Sequence, residues 1–508
     1  MADELRKSID KADDQTPKSG GNIRNLIPYH DLREWIEEAD KLGEITHVDG
    51  LDTDEEIGMA SDLIMHPEGA NCLLFDKIKG YEEGYRIVVN FFGGKRQNMT
   101  LGFPTDFSKI ELSEAYFEHQ IKDMTPIPPK IVEDGPVLEN VFKGDDVDLL
   151  KFPTPLWHPE DGGRYIGTGC YTVTTDPDSG WMNAGTYRIM IHDKNSTGCY
   201  ICPGKHGRMH RDKYEAMGKP MPAVTVLGGD PMMFLNACTE MPLGVSEYDI
   251  VGAMRGEPLE VIKGDVTGLL FPADAEIVLE GYVRFDNKKD EGPFGEWTGY
   301  FASGVRDEPV FEVHAIYHRN NPIILGCPPQ RPPDEMCRYR AVTRSALLRN
   351  NITAAGVPDV TAAWMHEIGN SRLFNAIAIK QRYPGHAKQA GLAAASVHVG
   401  AFCGRYTIVV DDDVDVSNLE ELMWAVATRS DPASSIDIID NAWSTPLDPR
   451  IPPEKRAVGD FTSSRAVIDA CRPFHWMDEF PKVNAPSKEE AHRAQEKFGY
   501  LLDGNGRR

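Results

Sequence analysis

Five stretches decide the fold: TGCYTVTTD (Thr168–Asp176), TYRIMIHD (Thr186–Asp193), AVTVLGG (Ala223–Gly229), AEIVLEGYVRF (Ala275–Phe285) and PVFEVHAIYH (Pro309–His318). Each is rich in β-branched and aromatic residues and is bounded by Gly, Pro or Asp, the composition of a strand between turns. Their density between about 145 and 320 predicts a barrel-like all-β domain with few helices. Upstream the texture is mixed. YHDLREWIEEADKLG (Tyr29–Gly43) has helical spacing and a Gly stop, while CLLF (Cys72–Phe75) and RIVVNFF (Arg86–Phe92) read as buried strands. The Pro-rich TPIPPKIVEDGPV (Thr125–Val137) reads as a linker. Downstream of Arg331–Glu335, the helical MCRYRAVTRSALLRNN and the strand YTIVVDDD imply a second α/β unit. The expected organisation is a polar tail (1–25), an N-terminal α/β domain (26–125), the β-domain (126–320), a C-terminal α/β domain (321–460) and a helical tail (461–508). That tail contains a helix over Lys488–Leu502 and then frays.

The 508 residues include 54 basic and 79 acidic side chains, a net charge of −25. Nucleic acid and anionic membranes need a basic footprint, so both are excluded as partners. A local arginine can still accept a small anionic substrate. With 41% hydrophobic and 26% charged residues the chain is not wholesale disordered. No run of about 18 apolar residues occurs, so no membrane span is expected. The opening MADELRKSIDKADDQTPKSGGN lacks an apolar signal core, which predicts a cytoplasmic protein. Nine cysteines, an odd number, fit reduced thiols better than a disulfide framework.

Four patterns are candidate sites. Cys199-x-x-Cys202-x3-His206-x3-His210 has the residue types of a zinc quartet, but the two ligand pairs lie too close for the chain to fold back. Glu291-Gly-Pro-Phe-Gly-Glu296 bends two carboxylates toward each other. Like charges held close do not both ionise readily, which suits general acid chemistry, although spacing alone favours an acidic surface turn. Asp411-Asp412-Asp413-Val414-Asp415 lacks the Gly and terminal Glu of a calcium loop and reads as a solvated strand end capping the next helix. Asp161-Gly162-Gly163-Arg164-Tyr165 and Leu227–Asp230 match no phosphate-binding fingerprint and read as turns.

Taken in order, eight segments resemble the UbiD-type decarboxylases. They are PTPLWHPEDGGRY (Pro153–Tyr165), WMNAGTYR (Trp181–Arg188), PGKH (Pro203–His206) and PLGVSEYDIVGAM (Pro242–Met254). PADAEIVLEG (Pro272–Gly281), EGPFGEWTGY (Glu291–Tyr300), RPPDE (Arg331–Glu335) and DDDVDVSNLEELMWAVATRSDP (Asp411–Pro432) follow. The likeness runs from about Tyr29 to Pro432. It implies that the β-domain is a flavin-reductase-like split barrel holding prenylated FMN (prFMN), which a flavin prenyltransferase supplies. A divalent metal, usually Mn²⁺, and K⁺ would bind the cofactor phosphate.

By the same resemblance the metal ligands are Asn183, His206 and Glu247, an O/N donor set suited to Mn²⁺. Gly185, Thr186, Tyr187 and Arg188 would line the cofactor with these three and Lys205, Gly185 permitting close backbone approach. Arg188, Glu291 and Glu296 would be catalytic: Arg188 faces the substrate carboxylate and pairs with Glu291, and Glu296 protonates the carbon that loses CO₂. This reverses the surface-turn reading of the Glu pair and keeps His206 while releasing the cysteines. Two departures concern the substrate. Lys205 stands where the family commonly has Gln, adding a cation that suits an extra carboxylate or phosphate. Thr445-Pro446-Leu447 stands where members acting on cinnamate-like acids have a Phe, implying a roomier pocket. The implied activity is reversible, non-oxidative decarboxylation of an aromatic, heteroaromatic or α,β-unsaturated acid by a homodimer or homohexamer. The carboxylase direction, a role as one subunit of a larger complex, and a non-catalytic flavin- or metal-binding paralogue remain as alternatives.

Overall fold

In the computed structural model, which describes residues 27–239 and 241–499, the first helix is Leu32–Lys41. Asp31 caps it by accepting from the Glu34 N–H, and Leu32, Trp35, Ile36 and Ala39 form its buried stripe. Gly43, at φ +71°, ends the turn that follows. The polar tail expected over 1–25 lies outside the described residues.

The helix covers a four-stranded sheet ordered Ile45–Asp49, Cys72–Asp76, Arg86–Val89 and Ile323–Gly326. The last strand runs parallel to Arg86–Val89, far away in sequence. The boundary expected at 320/321 is therefore corrected: residues 323–326 complete the N-terminal sheet. A short apolar run says that it is buried, not which sheet will receive its hydrogen bonds. The expected linker also becomes structure, because Lys130–Ile131 pairs parallel with Glu260–Lys263 in a three-stranded sheet.

The middle of the chain builds a nine-stranded antiparallel sheet. Its order is Tyr165–Gly167, Ile189–Asp193, Ser196–Cys199, Arg306–His318, Ile277–Glu291, Met221–Leu227, Cys170–Thr175 and Met182–Gly185, with Asn140–Lys143 added to Arg306–His318. Among the described residues no ladder joins the two ends of this path into a closed barrel. Helices His206–Ala216, Pro231–Ala237 and Glu247–Arg255 pack against its Cys170–Thr175 and Met182–Gly185 end. The long strand Ile277–Glu291 is buried on both faces at first and alternates only in its second half. It ends on a buried residue, Glu291.

The C-terminal sheet is ordered Val360–Met365, Phe374–Ile379, Tyr406–Asp411, Thr462–Asp469 and Ile436–Trp443, with helix Glu335–Ala354 packed on its first strand. Thr462–Asp469 lies inside this sheet, parallel to Tyr406–Asp411. The boundary at 460/461 is thus also corrected, and among the described residues the expected helical tail holds a short 3₁₀ helix, Phe474–Glu479, and one α-helix, Lys488–Phe498. The fraying expected beyond it falls on 500–508, outside those residues. Among the described residues no helix is long and apolar enough to cross a membrane. None of the nine cysteines forms a disulfide.

Candidate active site

Arg188 lies just after the strand Met182–Gly185, with its guanidinium buried between two carboxylates. Nε and Nη2 donate to Glu291 Oε1 and Oε2 at 2.7 and 2.8 Å, a bidentate fork, while Nη1 donates to Glu296 Oε1 at 2.7 Å. The turn reading of Glu291–Glu296 is therefore replaced, since both carboxylates point inward onto one cation. Burial is the largest single influence on Arg188 and works against its charge. The Glu291 hydrogen bonds and the fields of both carboxylates more than offset it and hold the guanidinium above its ordinary value.

The two acids are held differently. Glu291 Oε1 also accepts from Tyr165 Oη at 3.0 Å, so both its oxygens are engaged. Glu296 sits on the loop after the strand, and Oε1 takes both of its bonds, from Arg188 and from Ser303 Oγ at 2.7 Å. Arg188 lies over the rings of Tyr200 and Phe294, 4.9 and 5.2 Å from their centroids.

The Asp161–Tyr165 turn carries this loop. Gly162 approaches so closely that a Cβ there would lie 2.0 Å from Gly292 O, and its N–H donates to Pro293 O. Asp161 accepts from the Gly295 N–H and pairs with His158, whose other ring nitrogen meets Gln330. Tyr165, Ser303, Asp161 and His158 escaped sequence reasoning as site residues. Tyr165 and Asp161 lay inside a recognised segment, whereas no local signal marks Ser303.

A second cluster is built around Asn183. Its Nδ2 donates to Glu247 Oε1 at 2.8 Å, and the Ala184 N–H donates to Glu247 Oε2 at 2.7 Å. Tyr187 Oη donates to Asn183 Oδ1 at 3.4 Å and accepts from the Gly207 N–H at 3.1 Å. Asn183 is thus one hydroxyl away from the first turn of helix His206–Ala216. The close neighbour that requires glycine at 185 is the Tyr187 hydroxyl, which a Cβ there would approach to 2.3 Å. Trp181 ties the parts together, its ring edge-on to His206 at 4.9 Å and its Nε1 donating to Val245 O. Glu247 is buried among neutral donors, and that burial pushes its carboxyl up to about 7. A buried carboxylate beside an amide oxygen, with an imidazole on the adjoining turn, fits a hard divalent cation whose charge would restore the ionised form. Thr186 donates its N–H to Ala237 O, and Lys205 is the exposed N-cap of the His206 helix.

The remaining candidates resolve without a metal. Among the described residues no group of three or more His, Cys, Asp or Glu could hold one. Cys199 is buried, its thiol pushed up to about 12 by that burial, and His210 pairs with Thr174 inside the fold. The Asp411 cluster is solvated as expected at Asp412, Asp413 and Asp415, which are exposed, but not at Asp411. Asp411 is buried, and Arg429 bonds it and the exposed Asp413 at 3.1 and 2.8 Å, while Arg472 adds a 3.0 Å bond to Asp411. Capping of the next helix falls to Asn418.

Comparison with known proteins identifies the family of the chain. The 3-octaprenyl-4-hydroxybenzoate carboxy-lyase Rift-related domain matches residues 130–332, and the corresponding C-terminal domain matches 338–470. Pyrrole-2-carboxylic acid decarboxylase of Pseudomonas aeruginosa is 31% identical over 473 residues, covering 90% of this chain and 94% of its own. The UbiD-class enzyme HmfF from Pelotomaculum thermopropionicum, solved with FMN, superposes with a TM-score of 0.80 at 29% identity, over 91% of this chain and 98% of that one. An evolved dimeric form of HmfF, solved with prFMN, gives 0.76 at 28% identity, over 91% and 98%. With both lobes matched and a relative of this identity along nine-tenths of its length, the chain belongs to the UbiD family of carboxy-lyases.

Proposed function

We infer that this protein is a prFMN-dependent decarboxylase of an aromatic, heteroaromatic or α,β-unsaturated acid, R–COO⁻ + H⁺ → R–H + CO₂. The observation that carries this reading is Arg188 buried between Glu291 and Glu296. HmfF with FMN and with prFMN supports the cofactor. The nine-stranded sheet would be its split-barrel platform, with Gly185, Thr186 and Tyr187 along it and Lys205 at its rim. Asn183, His206 and Glu247 would hold Mn²⁺ or a similar divalent ion against the cofactor phosphate, with K⁺ beside it.

When bound, prFMN supplies the electron sink that no side chain offers to a carbon losing CO₂. The protein's part is charge and position. Glu291, held by Arg188 and Tyr165, is the fixed anchor that orients the guanidinium. The trio is neutral only when Glu296 carries a proton, which is the state that admits an anionic acid. Because both bonds to Glu296 engage Oε1, its Oε2 is the oxygen that delivers the proton to the substrate carbon. In the carboxylating direction the same oxygen takes the proton back. Thr445 sits on a segment that abuts this loop, since Thr298 Oγ1 donates to Leu447 O, and so it would border the substrate.

The test is to co-express the chain with a flavin prenyltransferase, record the flavin spectrum, and screen acids for CO₂ release and for deuterium incorporation in D₂O. A bound modified flavin with CO₂ release is expected. A loaded enzyme inert toward every acid would refute the reading. Light scattering of the same sample checks the expected homodimer or homohexamer.

A further inference from the structure

Arg188 has no positive charge to spare. All three guanidinium nitrogens donate to carboxylates, so the trio is negative with both acids ionised and neutral with Glu296 protonated. In a chain of net charge −25, attraction for an anionic acid calls for a further cation near the trio.

Arg306 opens the strand Arg306–His318, three residues after Ser303, whose hydroxyl holds Glu296. The ladder between the two long strands pairs its Cα with that of Glu291, and directly opposed residues put their side chains on one face of a sheet. Exposure follows the same alternation: Asp307 is exposed, whereas Arg306 is half-buried and Glu308 buried. The Arg306 guanidinium lies over the ring of Tyr200, 4.2 Å from its centroid, and Arg188 lies over the same ring at 4.9 Å. Two cations from different strands of the sheet thus share one aromatic ring.

Their charges are met differently. Glu291 and Glu308, the two acids beside Arg306 on this face, are engaged by Arg188 and by Arg211, the latter at 3.0 Å. Asp290 and Asp307 form the next pair of the ladder, on the other face, and are exposed. Among the described residues Arg306 forms no ion pair, and its Nη1, shielded from solvent, has no hydrogen-bond partner. Counted with the trio, Arg306 leaves one net positive charge when Glu296 is protonated.

We propose that Arg306 is the guide cation of the active site: its field draws the substrate's carboxylate toward Arg188 and makes the site prefer anionic over neutral ligands. The inference rests on the decarboxylase reading for the identity of that anion. Arg306 acts through charge, and a rival role as a packing support for Tyr200 predicts a different response.

The experiment measures equilibrium binding of benzoate and of neutral benzamide to FMN-loaded protein. Wild type should prefer benzoate, and the preference should shrink between about 20 and about 300 mM salt, which screens a half-buried charge. Arg306→Met keeps an apolar stem against Tyr200 and removes the charge. It should lower the preference about fivefold, the upper range for a partly exposed pair, with benzamide affinity and flavin content held. Arg306→Lys should keep most of the preference, and Arg306→Gln removes the charge should the Met variant not fold. A wild type that binds benzoate no better than benzamide overturns the proposal without any variant. So does an unchanged preference in Arg306→Met, or an equal loss of both ligands, which would make Arg306 a support for the ring. If no acid releases CO₂ while the preference still depends on Arg306, the decarboxylase reading fails and the guide cation stands. If acids are decarboxylated and the preference ignores Arg306, only the guide cation fails.

Discussion

Two places in this molecule set a pair of carboxylates on a buried arginine. Glu291 and Glu296 surround Arg188, and Asp411 and Asp413 surround Arg429. In both, the carboxylates follow or end a buried strand, and local sequence assigns both to acidic surface turns or strand ends. Their difference lies in what closes the cluster. At Asp411 a second guanidinium, Arg472, balances the charge and Gln381 Nε2 takes the other oxygen, so every valence is spent on holding the lobe together. At Arg188 one cation faces two acids and one of the acids stands on a loop. The balanced cluster suits a structural role, whereas the unbalanced one on a loop is what the proposed proton transfer through Glu296 requires.

The strongest way to break this contrast is Glu296→Gln. It is isosteric, so melting temperature and flavin content should hold while turnover falls by about 10²–10⁴-fold, the share of a positioned general acid. Retained turnover in a CO₂-release assay would remove Glu296 from the proton path. The reciprocal variant, Arg429→Met, should leave turnover per folded molecule intact and lower the unfolding free energy by about 2–3 kcal/mol. That is the low side of a broken buried pair because Arg472 remains. Asp413 supplies the sign with pH. Burial, the largest influence, raises its carboxyl, but the Arg429 hydrogen bonds and field hold it below the ordinary value. A depressed carboxyl stabilises the fold above its unfolded pKa and loses that contribution as pH falls through the folded value. The Arg429→Met penalty should therefore shrink below about pH 4. A penalty in urea titrations that does not change with pH would contradict the ion-pair account.

A smaller effect is expected at Tyr165→Phe, which removes one hydrogen bond from the Glu291 anchor. A loss of about 1 kcal/mol would slow turnover roughly fivefold. The KM for the acid should change less than kcat, because Glu291 orients Arg188 rather than touching substrate. Least affected of all should be the former zinc candidate. With its thiol pushed up to about 12, Cys199 should resist iodoacetamide at pH 8 in the native protein and react after denaturation, as peptide mass spectrometry would show.

Much of the fold was legible because its signals are local. The helix at Leu32–Lys41 announces itself by a capping Asp31, a buried stripe and Gly43, and the strand Tyr406–Asp411 by an apolar run. The two misplaced boundaries share one cause. Local sequence singles out neither Ile323–Gly326 nor Thr462–Asp469 as a strand, and their hydrogen bonds go to strands far away in sequence. Within the site, Arg188, Glu291 and Glu296 were named from their motif, while Ser303 was invisible because nothing near it in the chain marks a partner that the fold brings to Glu296.

By itself, the sequence determined the β-rich middle, the family segments and a net charge of −25. Tertiary structure alone decided which carboxylates gather on Arg188 and which on Arg429. It also decided that the turn at Asp161–Tyr165 packs against the Glu291–Glu296 loop. The reason is physical: propensity and patterning act over a few residues, whereas charge balance and burial depend on whatever the fold brings within a few ångströms.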